Sequence, residues 1–284
     1  MKTFACISIG LLILNVAWAQ IGQKRSCEKV GELKKTTTLI VLDEKKDSEY
    51  NQLIRHTIDT YWRITPIMYI PSSELEQYLG NSAYSMLVRN NAQRIARRGG
   101  GRVSVIQNND LALYLCNQGE LTNYLAGDAL AMVRLKDVMK TEDYLYELPG
   151  LIQSMQSYIQ FLQEEKIDEN NFEKEIKRYA NQNVADLRSM TLMLRKEDVP
   201  EKLQDIKKLE KVYGHAVEIA TEAQIAEALK NNEGNVAFLH LHPRQREFFI
   251  IQAAGGRLIY HALVQDYGEL KAKDFAVLAK KIDK

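Results

Sequence analysis

Two stretches of the chain repeat the same succession of apolar and polar positions. The first opens with TTLIVLDEKKD (residues 37–47) and the second with MTLMLRKEDVP (residues 190–200). Each is a short apolar run that ends in charge, which is typical of a buried strand. Apolar residues then recur at helical spacing in EYNQLIRHTIDTYW (49–62) and in EKLQDIKKLEKVY (201–213). The pattern predicts a strand followed by an amphipathic helix at the start of each copy.

A second strand and helix follow in both copies, as PIMYIPSSELEQYL and HAVEIATEAQIAEAL. In the first copy, Ser73 and Glu76 have the spacing of a capping box, in which the two side chains satisfy free amides of the first helical turn. Thr221 and Gln224 have the same spacing in the second copy. Both segments therefore predict a strand that runs into a capped helix.

Three more strands are predicted at the end of each copy. The third strand is YSMLVRN (84–90) in the first copy and VAFLHLH (236–242) in the second. The last two strands flank an Asn-Asn-Asp turn in residues 102–116 and an Ala-Ala-Gly-Gly turn in residues 247–263. Alternating strands and helices favour parallel pairing, whereas a tight turn favours an antiparallel hairpin. We therefore predict the α/β fold class, with two internally repeated units whose sheets are mixed.

The segment between the copies is predicted to be a helical connector. Its stretch LIQSMQSYIQFL places several apolar residues on one helical face, and we expect this face to pack against a sheet. The residues of this face are Leu151, Ile152, Met155, Tyr158, Ile159 and Leu162. The predicted organisation is a signal peptide (1–19), a leader segment (20–36), a first repeat (37–119), the connector (120–188) and a second repeat with a C-terminal helix (189–284).

The N-terminal segment has the pattern of a secretory signal peptide. Lys2 supplies a basic start before an apolar run at residues 5–14. A small-x-small cleavage site follows at Ala17 to Ala19. No later segment approaches the roughly 20 apolar residues of a spanning helix, and no cysteine stands at the cleavage point. We therefore expect a periplasmic or secreted protein, cleaved near Ala19, without a transmembrane segment or lipid anchor.

The net charge bears on the class of partner, and the cysteine content bears on a possible disulfide. Removal of the signal peptide takes away Lys2 and no acidic residue, so the formal net charge falls from +1 to 0. A balanced surface exerts no long-range attraction on nucleic acid, and we expect no such partner. Two cysteines remain in an oxidising compartment, Cys27 and Cys116. Either they form a disulfide across a long loop, or Cys116 is a buried free thiol and Cys27 is loose in the leader segment.

The stretch RIARRGGGR (94–102) is rich in arginine and joins the third and fourth strands of the first copy. Arginine binds carboxylates and phosphates bidentately, and glycines let backbone amides approach an anion. The equivalent loop of the second copy also holds two arginines, so a shared anion site is one hypothesis. We favour a hairpin tip with solvated arginines, because the second loop is shorter and joins the same strands. The candidate ligand-binding arginines are Arg89, Arg97, Arg98, Arg102, Arg244 and Arg246.

His240 and His242 are the remaining candidate ligand-binding residues. They alternate along a predicted strand, so both imidazoles lie on one face and could reach one metal ion. No carboxylate or cysteine at a diagnostic spacing completes the set, and motifs of hydrolases, dithiol enzymes and dinucleotide-binding proteins are absent from the sequence. We therefore expect no metal, no cofactor and a non-enzymatic protein that binds an unknown protein or small molecule. The alternative is a metal-dependent hydrolase that uses both histidines.

Two stretches of the chain resemble known proteins. YNQLIRHTIDTYWRITPIMYI (50–70) is similar to uncharacterised exported α/β proteins of Bacteroidetes-type bacteria, a resemblance that implies no particular activity. FFIIQAAGGRLIYHAL, followed by ELKAKDFAVLAKKI (269–282), resembles the closing hairpin and helix of thioredoxin-like domains. Activity in that family requires Cys-x-x-Cys at the start of the first helix, where the two copies have DEKKDSEYN and KEDVPEKLQ. The resemblance therefore implies no redox role.

The hairpin-tip hypothesis predicts weak binding of small anions. Titration of the wild type with phosphate or a polyanion without backbone amides, such as heparin, should give binding that fades as salt is raised, because exposed charges are screened. The variant with Arg97→Ala and Arg98→Ala should behave almost identically. Saturable binding at physiological salt that this variant loses would instead establish an anion site.

Overall fold

The computed structural model describes residues 26–97, 103–120, 128–135, 144–165, 167, 169–242, 247–264 and 270–284. Within these ranges the α-helices are α1 (Ser26–Leu33), α2 (Glu49–Tyr61), α3 (Leu148–Glu165), α4 (Phe172–Asn181), α5 (Ile206–Tyr213), α6 (Glu222–Lys230) and α7 (Ala272–Ile282). The strands are β1 (Thr37–Leu42), β2 (Ile67–Pro71), β3 (Tyr84–Arg97), β4 (Val103–Leu115), β5 (Ala131–Arg134), β6 (Thr191–Arg195), β7 (Val217–Ala220), β8 (Val236–His242), β9 (Glu247–Gln252) and β10 (Leu258–Leu263). The predicted signal peptide lies outside the described residues. No described helix combines the length and apolar character that a membrane crossing requires.

The strands form two five-stranded mixed sheets with the same strand order. The first sheet is ordered β2-β1-β3-β4-β5 and the second β7-β6-β8-β9-β10. Strand β1 pairs in parallel with β2 and β3, and β6 pairs in parallel with β7 and β8. Strands β4 and β5 extend the first sheet by antiparallel pairing, and β9 and β10 extend the second sheet in the same way. The predicted α/β class with two sheet units is therefore confirmed, and the shared order agrees with an internal repeat.

The first repeat differs from the prediction in its last two strands. Strand β4 is continuous, and the Asn-Asn-Asp segment lies inside it rather than in a turn. Asn109 and Asp110 pair there with Asn91 and Asn90 of β3, so cross-strand pairing overrides their preference for turns. The fifth strand is β5, which pairs with β4 and lies in the segment interpreted as connector. The interpretation of residues 102–116 as a hairpin is therefore wrong.

Helix α3 closes the first repeat in the way that α7 closes the second. Helix α3 follows β5 and packs beside α2, and α7 follows β10 and packs beside α5. Each residue of the predicted apolar face of α3 is at most 3 % exposed, from Leu151 to Leu162, so the expected burial of this face is confirmed. The predicted connector helix is thus the last helix of the first unit.

The two sheets stack front to back on either side of α3. Thr37 and Thr191 are equivalent, because each donates its amide to the residue just before the third strand of its own sheet. By this register Met86 is equivalent to Phe238. Phe238 belongs to the core that contains α3, whereas Met86 belongs to a separate core on the far face of the first sheet. Opposite faces of equivalent sheets therefore meet around α3, as in a head-to-tail contact.

Two glycines allow α3 to approach the second sheet closely. A Cβ atom on Gly150 would lie 2.7 Å from the ring of Phe238. Gly256, in the turn between β9 and β10, has a φ of 61°, and a Cβ atom there would lie 2.5 Å from the carbonyl carbon of Gln153 in α3. Glycine alone fits such a site, since it has no side chain and adopts positive φ without strain.

The helix caps agree with the prediction in the second copy only. Thr221 and Gln224 form the capping box of α6. The segment after β2 is a short 3-10 helix without a side-chain cap, so the capping box predicted at Ser73 and Glu76 is wrong. The amide and hydroxyl of Ser73 instead donate to the carboxylate of Glu44, which follows β1. This competing acceptor takes the place of the local cap.

Cys116 is a free and fully buried thiol, as the second of the two cysteine alternatives predicted. Burial raises its pKa to about 12, which suppresses the reactive thiolate. The side chain of Cys27 lies outside the part of the chain that the structure describes.

Alanine at Gly256 should destabilise the protein more than alanine at Gly255. The two residues have φ values of 61° and 71°, so both substitutions introduce left-handed strain of about 1 kcal/mol. Space around Gly255 is open, whereas Gly256→Ala also collides with the backbone of α3. We expect the free energy of unfolding to fall by about 2 kcal/mol more for Gly256→Ala, measured by urea denaturation. Equal losses would contradict the close contact with α3.

Candidate functional site

The carboxyl ends of the parallel strands of both sheets converge on one short segment. Ligands of open α/β sheets bind at such ends, beside the strand where the order reverses, so this region is the candidate site. The segment is the 3-10 turn Leu145–Glu147 together with Tyr144, directly before α3. We call the surrounding polar side chains the junction cluster, which consists of Asp43, Arg89, Tyr144, Tyr146, Glu147, Arg195, Asp198 and His240.

In the first sheet, Arg89 contacts the side chains of Asp43, Tyr144 and Tyr50. Its Nη2 lies 2.7 Å from both carboxylate oxygens of Asp43, and its Nη1 donates to the hydroxyl of Tyr144 at 2.9 Å. The guanidinium carbon lies 4.4 Å from the ring centroid of Tyr50. Burial opposes the charge, but Tyr144 and Asp43 outweigh it and raise the pKa of Arg89. The guanidinium is therefore committed to contacts within the fold.

In the second sheet, Arg195 has the same kind of environment. Its Nε and Nη2 donate to the two carboxylate oxygens of Asp198, each at 3.0 Å, in a bidentate pair. Its Nη1 donates to Glu222 at 2.8 Å, and its guanidinium carbon lies 5.5 Å from the ring centroid of Tyr146. Each sheet thus ends its parallel strands in a paired arginine that contacts the segment before α3.

His240 joins that segment to the second sheet. Its Nδ1 is hydrogen-bonded to Oε2 of Glu147, and both side chains are completely buried. Its Nε2 lies 2.9 Å from the carbonyl oxygen of Arg134. A carbonyl oxygen only accepts, so Nε2 carries a proton, and a second proton is shared between Nδ1 and Glu147. Both ring nitrogens of His240 are therefore occupied, and neither is open to a metal ion.

Tyr146 completes the contacts of Glu147. Its hydroxyl donates to Oε1, the carboxylate oxygen that His240 does not use. Burial and the neighbouring charge of Glu147 raise the pKa of Tyr146, so the phenol stays protonated as a donor. The buried carboxyl group of Glu147 thus has a partner on each oxygen, which is the condition for burying it without a large penalty.

A second polar group lies beside the cluster, at the start of β9. Glu247 stands opposite His242 in the register and is 3 % exposed. Its Oε2 has no hydrogen-bond partner among the described residues. Burial raises the pKa of Glu247 to about 7, an effect that the positive charge of Arg134 opposes. Nε of Arg134 also lies 3.6 Å from Asp110 of the first sheet, so Arg134 faces acidic residues of both repeats.

The alternative metal site at His240 and His242 has no set of three ligands in the described part of the chain. No group of three or more histidine, cysteine, aspartate or glutamate residues is placed there to hold a metal ion. His261 on β10 stacks on Phe249 with ring centroids 4.4 Å apart, and burial lowers its pKa to about 4. His261 therefore serves the packing of the second sheet.

The structure separates the predicted arginines. Arg97 ends β3, eight residues beyond Arg89 on one continuous strand, which corresponds to about 27 Å. The backbone positions of the two residues are thus far apart along β3. The side chain of Arg97 lies outside the described part, and so do the whole residues Arg98, Arg102, Arg244 and Arg246.

The described structure includes a small cavity and a larger groove. A cavity of about 20 Å³ between the sheets, lined by residues such as Met155, His240 and Phe249, has room for a water molecule and little more. A groove of about 640 Å³ lies between residues 197–204 and the start of α7, with glutamate and lysine on its walls. Neither space brings together groups that would perform a reaction.

Sequence reasoning did not find Glu147, Tyr144 or Tyr146. One signal was present, because Glu147 is the single charged residue in the run YLYELPGLI. A charged residue inside an apolar run is buried only with a partner, so such a position indicates a polar contact in the core. Its partner, however, lies 93 residues away and follows only from the packing of the two repeats.

No protein family, curated protein or solved structure matches this chain. The resemblances to exported Bacteroidetes-type proteins and to thioredoxin-like domains therefore stay predictions. The site is interpreted from its own geometry.

Removal of His240 should be partly rescued by removal of Glu147. Val88 occupies the equivalent position of the first sheet, so His240→Val suits the strand but removes the partner of the buried Oε2 of Glu147. The loss of unfolding free energy should be about 3 kcal/mol. Adding Glu147→Leu should recover about half of that loss, because no unpaired charge remains. Urea denaturation of the two single variants and the double variant measures the coupling, and additive losses would contradict it.

Proposed function

We propose that this chain is an exported, non-enzymatic protein that binds a partner through a ribbon formed by β3 and β4. Export rests on the signal-peptide pattern of residues 1–19. The binding role rests on the form of the ribbon and on the way in which the junction cluster uses its polar groups. The partner is a protein of the cell envelope or of the medium.

The ribbon is the observation that carries the proposal. Strand β1 pairs with β3 no further than Leu87, and β5 pairs with β4 no further than Asp110. From Asn91↔Asn109 to Arg97↔Val103, seven cross-strand pairs join β3 and β4 only to each other among the described strands. The ribbon therefore extends about 20 Å beyond the sheet. A two-stranded hairpin is marginally stable by itself, so this extension contributes little to the fold and is available for binding.

The junction cluster supports a structural role rather than a catalytic one. The guanidinium groups of Arg89 and Arg195 are paired with carboxylates, and both ring nitrogens of His240 are occupied. A catalytic group needs access to substrate, and these side chains lie where the two repeats pack together. The metal-dependent alternative therefore lacks an observed set of ligands among the described residues.

A shortened ribbon should abolish partner binding and leave the fold intact. In this variant, residues 93–107 are replaced by Asn-Gly, which forms a tight turn between antiparallel strands. Tagged wild-type and shortened proteins are crosslinked in cells that export them, and the captured proteins are identified by mass spectrometry. We expect a partner that only the wild type captures.

Equal melting temperatures of the two proteins are the control for an intact fold. Capture of the same partner by both proteins would place binding elsewhere on the chain. Capture by neither protein would also count against the proposed function.

A further inference from the structure

We propose that the open edge of β3 in the ribbon binds an extended acidic polypeptide segment, which pairs with it as an additional strand. This inference rests on the proposed function and names the class of partner.

The edge of β3 offers backbone groups for such pairing. β3 continues to Arg97, whereas its pairing with β1 ends at Leu87. Residues 90–97 therefore pair with β4 on one side and with no described strand on the other. An open edge presents alternating amide and carbonyl groups, which pair with an extended chain. Eight residues are enough for a strand of ordinary length.

The charge of the ribbon selects an acidic partner. Residues 90–109 contain four arginines and no acidic residue, in a chain whose formal net charge is +1. Two of them, Arg94 and Arg97, belong to the open strand itself. Edge-to-edge pairing of two copies would bring these like charges together, which disfavours a second copy as the occupant. An acidic strand would meet complementary charge along the same edge.

Charge and backbone pairing have different parts in this interaction. Screened arginines bind small anions weakly, and they still accelerate the approach of an acidic chain. The backbone hydrogen bonds then hold the chain in place. Anionic glycans and lipid surfaces have charge but no ladder of amides, so they satisfy one of the two requirements only.

The test uses the full chain and a labelled peptide of five Thr-Glu repeats in 150 mM salt, with binding followed by fluorescence anisotropy. We expect saturable binding that is lost when all backbone amides of the peptide are N-methylated, and no binding of a Thr-Lys peptide. Hydrogen exchange should slow at residues 90–97 when the Thr-Glu peptide is added.

Protein variants separate the two contributions. Arg94→Gln with Arg97→Gln should weaken peptide binding about fivefold, as expected for two screened ion pairs. The matched control is Lys34→Gln with Lys35→Gln, which removes the same charge from exposed positions after α1 and should leave affinity unchanged.

Three results would overturn the proposal. These are equal binding of the N-methylated peptide, tighter binding of heparin or of phosphatidylglycerol vesicles than of the Thr-Glu peptide, and failure of the peptide to bind. If the peptide fails while the shortened ribbon still abolishes capture of the cellular partner, only the class of partner is wrong. If the shortened ribbon captures that partner, the proposed function itself is wrong.

Discussion

The packing of α3 against both sheets is the contact on which the rest of the structure depends. Gly150 lets the first turn of α3 reach the ring of Phe238, and Gly256 brings a turn of the second sheet against the helix backbone. This approach also carries the preceding segment to the junction, where Tyr144 meets the first sheet and Glu147 meets the second. The core that contains α3 therefore includes residues of both sheets, and the contact of Glu147 with His240 joins the two repeats.

The buried polar pairs at the junction select one arrangement of the two sheets, and they add little to its net stability. Bringing charges out of water costs about as much as their attraction returns, so a buried pair contributes little net stability. Separating Glu147 from His240 is costly, however, because both are completely buried. Any other stacking of the two sheets would leave these groups without partners. Apolar packing of α3 by itself tolerates small shifts. The polar contacts at the junction therefore specify the position that the apolar packing leaves open.

Local patterns predicted the repeat, the sheet class and the buried face of α3, because each follows from the periodicity of apolar residues. Long-range packing decided most of the rest. Strand β4 runs through an Asn-Asn-Asp segment since β3 supplies partners for it. Asp205 caps α5, so this helix begins at Ile206, later than the periodicity indicated. Helix α1 buries Val30 and Leu33 in the core with α3, although it lies in the predicted leader segment. The cap of Asp205 on the amide of Lys207 is local, whereas the other contacts are not visible in a short window of sequence.

Front-to-back stacking has no internal end point, because each added unit would present the same outer face as the one before it. Proteins built in this way, such as solenoids, stop when a terminal unit has a polar outer surface. Helix α7 occupies the position that α3 holds in the first repeat, but α3 is buried on nearly all sides. In α7, Lys273, Lys280 and Lys281 are exposed around the single apolar residue Val277. The outer face of the C-terminal helix is thus polar, as the outer faces of capping units are in solenoids.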